Sequence, residues 1–76
     1  MRIIYTSKRL RLLLTNLGLT QRELAFKADI TESAVSRYLD GSRIPNANTI
    51  IQITEATKVS PSWLLGYGED NKMETI

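Results

Sequence analysis

The stretch TQRELAFKADITESAVSRYLDGSRIP, residues 20–45, decides the fold because it contains two short helical patterns separated by a tight break. Thr20 is a favoured N-cap residue, and Glu23 three positions later completes the capping-box pattern. We therefore predict a helix over residues 21–28, with Leu24 and the alanines facing inward and the charged side chains in water.

The break between the two patterns falls at Asp29, a residue type that tolerates a left-handed backbone at modest cost. Thr31 is a suitable cap for a further helix over residues 32–39, and Gly41 ends that helix after its last turn. The apolar residues of this helix form one stripe, so its polar residues are left together on the opposite face. Two helices joined by such a short break fit the helix-turn-helix described for DNA binding.

Three further helices are indicated on either side of residues 20–45. A first helix over residues 7–16 is predicted by leucines at i, i+3, i+4 and i+7, namely Leu10, Leu13, Leu14 and Leu17. We expect its outer face to carry the cations Lys8, Arg9 and Arg11. A fourth helix follows a cap candidate at Asn46 and has the stripe Ile50, Ile53, Ala56 and Thr57. Ser60 and Pro61 start a fifth helix, which ends near Gly66.

The predicted fold is therefore all-α, a compact five-helix domain over residues 1–66. A weak strand signal is confined to residues 3–5. Residues 67–76 are polar and mostly unpatterned, so we expect them to form a C-terminal tail or the beginning of a linker.

The composition argues against catalysis and against metal binding. The 76 residues include no cysteine and no histidine, which removes the commonest nucleophile, general base and metal ligands. We expect no metal and no cofactor, and a protein that is not an enzyme. No apolar run approaches the roughly 20 residues of a membrane span, so the chain is expected to be soluble, cytoplasmic and free of the membrane.

The charge is distributed unevenly along the chain. Residues 1–43 hold eight basic and four acidic side chains, whereas residues 44–76 hold two basic and four acidic ones. The basic end is suited to a polyanionic partner such as nucleic acid. A chance imbalance on a solvated surface is the alternative that charge alone leaves open.

Two segments together resemble the Cro and lambda-repressor-like helix-turn-helix regulators, the XRE family of phage and bacterial transcription factors. They are LTQRELAFKADITESAVSRYLDGSRIP and TIIQITEATKVSPSWLLG, within residues 19–66. The Thr-Gln start of the second helix, the glycine after the third and the closing Leu-Leu-Gly all match the family. Two positions depart from it: Asp29 stands where glycine is common, and Leu39 where glutamate is frequent.

The resemblance implies that the third helix lies in the major groove of double-stranded DNA. Four residues that packing does not require become base-reading candidates: Glu32, Ser33, Ser36 and Arg37. Arg37 has donors for guanine O6 and N7, and Glu32 can accept from cytosine N4. The alternatives are that Glu32 stabilises the helix dipole, that Arg37 is a solvated helix residue, and that both serines are surface positions.

Phosphate contacts are expected from residues around the third helix. Gln21 resembles the family glutamine that anchors the second helix to the DNA backbone. Further candidates are Arg22, Ser42, Arg43 and Asn46, with an ordinary solvated surface as the alternative. The backbone N–H groups at the start of the second helix also favour an anion.

The C-terminal aromatic and leucine residues suggest self-association. Relatives often dimerise through this end, so the dimerisation candidates are Trp63, Leu65 and Tyr67. Such a dimer would place two recognition helices one DNA turn apart, roughly 34 Å. For Trp63, simple closure of the core is the alternative.

These observations predict a sequence-specific DNA-binding transcriptional regulator, a repressor that binds a palindromic operator as a homodimer. The alternative is an antitoxin-type module of the same fold that binds a small protein partner and also DNA.

Overall fold

The computed structural model describes residues 3–69 and 72–75, with side chains described from residue 5 onward. Its five helices are α1 (Ile3–Leu17), α2 (Gln21–Ala28), α3 (Glu32–Asp40), α4 (Ala47–Thr57) and α5 (Pro61–Leu64). The predicted all-α fold is confirmed. Within the described ranges, no helix is long and apolar enough to cross a membrane.

Helix α1 is longer than predicted because it begins at Ile3, so the weak strand signal at residues 3–5 was wrong. The first turns of α1 pack into the domain, where Thr6 and Ser7 are both buried. Such tertiary packing overrides the β propensity of a few residues. The stripe prediction was also wrong at its end, since Leu17 is 40% exposed.

Local hydrogen bonds explain why α2, α3 and α4 begin where the sequence predicts. The Thr20 hydroxyl accepts from the Glu23 amide at 3.0 Å, and the Glu23 carboxylate accepts from the Thr20 amide at 2.9 Å. Thr31 accepts from the third amide of α3 at 3.0 Å, and Asn46 does the same in α4 at 2.9 Å. Ser60 precedes Pro61 as predicted, but its side chain makes no capping bond to α5.

The turn between α2 and α3 has the left-handed residue that the sequence predicts, with Asp29 at φ 57°. The Ile30 amide donates to the Ala25 carbonyl at 3.0 Å, which closes the turn. From α4, the Gln52 amide donates to the carbonyls of Ala28 and Asp29 at 3.2 and 3.4 Å. A side chain from outside the two helices therefore holds the end of α2.

The core lies where α2 packs against α3 and α4, and where α1 packs against α3 and α5. Its fully buried large side chains include Leu10, Leu13, Leu24, Ile53 and Trp63. Because Trp63 has no exposed surface, the prediction that it contacts a second copy is withdrawn, and the alternative of core closure describes it.

Arg9 is buried, so the prediction that it lies on the outer face of α1 was wrong. Its guanidinium donates to the carbonyls of Trp63 at 2.8 Å, Tyr67 at 2.6 Å and Gly68 at 2.7 Å. It also lies 5.0 Å from the centre of the Trp63 ring. The five donors of an arginine allow one side chain to satisfy several carbonyls at the end of α5.

The described part of segment 67–76 packs back onto the domain. The Trp63 indole donates to the Glu69 carbonyl at 3.0 Å, and the Ser60 amide donates to the Glu74 carbonyl at 2.7 Å. Val59 and Thr75 form an isolated antiparallel bridge. Residues 70, 71 and 76 of the expected tail, and residues 1 and 2 of the domain, lie outside the described residues.

Candidate nucleic-acid interface

The four residues expected to contact bases lie together on the exposed side of α3. The opposite side of the helix is buried through Ala34, Val35, Tyr38 and Leu39. We call the exposed side the recognition face, and it consists of Glu32, Ser33, Ser36 and Arg37. Within the described part of the chain, no hydrogen bond or ion pair occupies these four side chains. The recognition face is therefore available to a partner.

Two side chains of α1 hold the last turn of α3. The Ser7 hydroxyl donates to the Tyr38 carbonyl at 2.9 Å, in a buried position. One helical turn later, the Arg11 guanidinium donates to the Leu39 carbonyl at 2.7 Å. Because the last carbonyls of a helix lack intrahelical partners, these two donors stabilise α3 and fix its position on α1.

The loop after α3 is closed by local bonds. Gly41 takes a left-handed backbone at φ 81°, and the Arg43 amide donates to the Arg37 carbonyl at 3.3 Å. The Ser42 amide donates to the Asp40 carboxylate at 2.7 Å. Hydrogen bonds from Ser42 hold the pKa of Asp40 below its usual range, with a smaller effect from Arg37.

The start of α2 lies at the edge of the recognition face and has exposed donors. Gln21 and Arg22 are both exposed, and Arg22 forms no ion pair with any residue that the structure describes. The neighbouring Glu23 carboxylate is engaged at the Thr20 amide, which holds the pKa of Glu23 below its usual range. The negative charge of Glu23 thus serves the helix cap.

The loop candidates for phosphate binding differ in how free their side chains are. Ser42 and Arg43 are exposed. Asn46 uses its side-chain oxygen as the cap of α4, where it accepts from the Thr49 amide at 2.9 Å and hydroxyl at 3.0 Å. Only the amide nitrogen of Asn46 remains to donate to a phosphate.

The C-terminal candidates for dimerisation are separated by burial. Tyr67 is 67% exposed and Leu65 is half-buried, unlike Trp63. Leu65 lines a shallow apolar groove of about 410 Å³ together with Pro45, Ala47, Ile50 and Ile51. Ile51, which was not predicted as a site residue, is 47% exposed; the signal in the sequence is a second isoleucine beside Ile50 where the buried stripe needs only one.

The residues that orient the helix-turn-helix from outside are not marked in the sequence. Ser7, Arg11 and Gln52 act on carbonyls far away in the sequence, and no local pattern marks such pairs. The exposure of Phe26 was not predicted either; this aromatic side chain of α2 is 88% exposed. Among the described residues, no group of three or more acidic side chains could hold a metal ion.

The helix-turn-helix formed by α2 and α3 agrees with the family model that the sequence matches. A family model described as helix-turn-helix covers residues 9–64. The chain belongs to this helix-turn-helix family. The resemblance to Cro and lambda-repressor-like regulators, drawn from residues 19–66, is thereby confirmed.

A solved structure gives a second comparison for this helix-turn-helix protein. This chain is similar to the restriction-modification controller protein C.AhdI from Aeromonas hydrophila, with 31% sequence identity and a TM-score of 0.77. The similarity covers 82% of this chain and 94% of that chain. A comparison with curated proteins gives no match. Taken together, the family and this neighbour support a DNA-binding transcriptional regulator.

Proposed function

We propose that the chain represses transcription by binding a pseudo-palindromic DNA operator as a homodimer in the cytoplasm, without catalysing a reaction. The observation that carries this proposal is the recognition face, whose four polar side chains are exposed while the other side of α3 is buried. A core helix or a simple surface helix does not require this set of donors and acceptors. Base edges in the major groove present donors and acceptors of their own, and these side chains can pair with them.

The residues around the recognition face suit the DNA backbone. Exposed donors precede and follow α3 in the chain, namely Gln21 and Arg22 at the start of α2 and Ser42 and Arg43 after α3. Asn46 adds its amide nitrogen. Phosphate contacts of this kind position a protein, and base contacts then specify the sequence. Arg37 is the proposed guanine contact because its guanidinium is exposed and, among the described residues, forms no hydrogen bond or salt bridge.

The proposed dimer surface is the apolar groove lined by residues of α4 and by Leu65. Leu65 and Ile51 line it, and Tyr67 and Ile44 are further exposed apolar residues of the chain, at 67% and 47%. A two-fold contact through one patch would pair two recognition faces on a palindromic site. The neighbour, a restriction-modification controller protein, supports a regulatory role for this chain.

Selection of bound sites from random-sequence duplexes tests the proposal. We expect the chain to enrich an inverted repeat whose half-sites are about 10 base pairs apart, centre to centre. Arg37→Ala should lose the preference at one position of each half-site. Enrichment of no sequence, or of a single half-site only, would contradict operator binding as a dimer.

The alternative of an antitoxin-type module makes a different expectation. It requires a small protein partner that stays bound during purification of the chain from its native host. A single species of the chain's own mass or of its dimer, by mass spectrometry under native conditions, supports the homodimeric repressor. A stoichiometric second polypeptide supports the antitoxin.

A further inference from the structure

A groove of about 470 Å³ beside the recognition face brings a residue of α1 next to the two DNA-binding helices. Its polar lining includes Arg11 of α1, Gln21 at the start of α2, and Ser36 and Asp40 of α3. Gln21 and Ser36 belong to the set proposed above to contact DNA. Arg11 lies outside the helix-turn-helix, and its charge has had no role so far.

Arg11 is exposed, and its guanidinium is already oriented. One of its terminal nitrogens donates to the Leu39 carbonyl at 2.7 Å. A guanidinium carries five N–H donors, so others remain for a second partner. Within the described residues Arg11 has no ion pair. The acidic residue of the groove, Asp40, has its carboxylate engaged at the Ser42 amide.

We propose that Arg11 binds a phosphate of the DNA backbone in this groove, beside Gln21, while the Leu39 carbonyl holds its guanidinium in place. This inference rests on the DNA binding proposed above and adds α1 to the interface. Guanidinium and phosphate form short, charge-assisted hydrogen bonds, often two in parallel. A side chain that is already held loses less conformational freedom when the phosphate arrives.

The arrangement also couples phosphate binding to base recognition. Leu39 belongs to α3, so the same guanidinium would contact both the DNA backbone and the helix that carries the recognition face. The position of α3 relative to the phosphates would then be set by Arg11. A lysine would provide the charge without the planar set of donors that joins the two partners.

The salt dependence of DNA binding tests the proposal. Affinity is measured against KCl concentration for the wild-type chain, Arg11→Gln, Arg11→Lys and Lys58→Gln, on the selected operator and on a scrambled duplex. Lys58→Gln removes the same charge from the end of α4, a position that does not line the groove. Circular dichroism checks that each variant is folded.

The slope of log affinity against log salt is negative, and we expect Arg11→Gln to make it less negative by about 0.9 for each protomer bound. It should weaken binding to both duplexes, because phosphates do not depend on sequence. The loss should be larger on the operator, because Arg11 also holds α3, which carries the recognition face. Arg11→Lys should keep most of the slope, and Lys58→Gln should keep nearly all of it.

A slope for Arg11→Gln equal to that of Lys58→Gln would overturn the proposal and leave Arg11 as a residue that only stabilises α3. The outcome is separable from that of operator binding. If the wild-type chain binds both duplexes equally, sequence recognition fails, but the slope on the scrambled duplex still decides whether Arg11 meets a phosphate.

Discussion

At the scale of single residues, two exposed arginines, Arg22 and Arg37, are proposed to have different roles in DNA binding. Arg37 lies on the recognition face of α3, whereas Arg22 lies on the first turn of α2, which is expected to cross the DNA backbone. The distinction matters because a base contact gives sequence preference and a phosphate contact gives only affinity. Substitution of each residue separates the two roles.

Arg37→Ala is expected to reduce discrimination at one base pair of the operator by about 1 to 3 kcal/mol, with a small change on unrelated DNA. Arg22→Ala is expected to weaken binding to all duplexes and to lower the salt slope by about 1. Fluorescence anisotropy on the operator and on its point variants measures both effects. Unchanged base preference in Arg37→Ala would remove Arg37 from the recognition face's base contacts.

Asp29 affects stability through its backbone conformation more than through its side chain. It takes φ 57°, a conformation that glycine adopts more readily, and its side chain makes no hydrogen bond within the described residues. Asp29→Gly is therefore expected to raise the free energy of unfolding by about 0.5 to 1 kcal/mol, and Asp29→Ala to lower it by a similar amount. Urea denaturation measures both, and equal effects of the two substitutions would contradict the interpretation.

At the scale of helices, the success of the sequence analysis follows the range of the interactions involved. The caps of α2, α3 and α4 were predictable because Thr20, Thr31 and Asn46 bond to amides three residues away. The position of Arg9 was not, because its partners lie more than 50 residues later. A helical repeat of leucines shows which side of α1 is buried, but it does not show how far around the helix that burial extends.

The same distinction between local and long-range interactions decides what could be predicted about the recognition face. Its four residues were predictable from the sequence because the buried stripe of α3 leaves them on the opposite side. The support of α3 by Ser7 and Arg11 was not predictable, because it requires knowing where α1 packs. The helical pattern of α3 is thus enough to predict the recognition face, whereas the residues of α1 that support α3 are visible only in the tertiary structure.

The capping box of α2 gives the protein a specific pH dependence. Because the Thr20 amide lowers the pKa of Glu23 in the folded state, this carboxylate contributes stability at neutral pH that is lost as pH falls through the folded-state pKa. Glu23→Gln keeps an acceptor that does not titrate, so its unfolding free energy should fall less between neutral pH and about pH 3. Glu55→Gln, at an exposed position of α4, should match the wild type. An equal fall in all three proteins would contradict this cause.

At the scale of the whole molecule, Arg9 joins α1 to the end of α5 and to the segment that follows. Arg9→Ala removes the donor from three carbonyls and leaves a cavity over Trp63, so we expect a loss of about 3 kcal/mol in unfolding free energy. Hydrogen exchange at the Ser60 amide, which is bonded to Glu74, should accelerate. Lys27→Ala, at an exposed position of α2, should cost less than 1 kcal/mol, about the scale of ordinary surface changes.

The proposed dimer depends on the apolar groove at Ile51. Ile51→Glu places a charge there and should shift the chain to a monomer in sedimentation at concentrations where the wild type is dimeric. Phe26→Ser removes an even more exposed apolar side chain from α2 and should leave the dimer intact. Dissociation by Phe26→Ser and not by Ile51→Glu would move the interface to α2.

The most direct test of the central claim is the ratio of affinities for the selected operator and for a scrambled duplex of the same length, at one physiological salt concentration. The recognition face of α3 predicts that the wild-type chain binds the operator at least about a thousandfold more tightly. Replacing all four of its residues by alanine should bring the ratio close to one while Gln21 and Arg22 keep the chain on DNA. Equal affinity of the wild-type chain for both duplexes would contradict the claim.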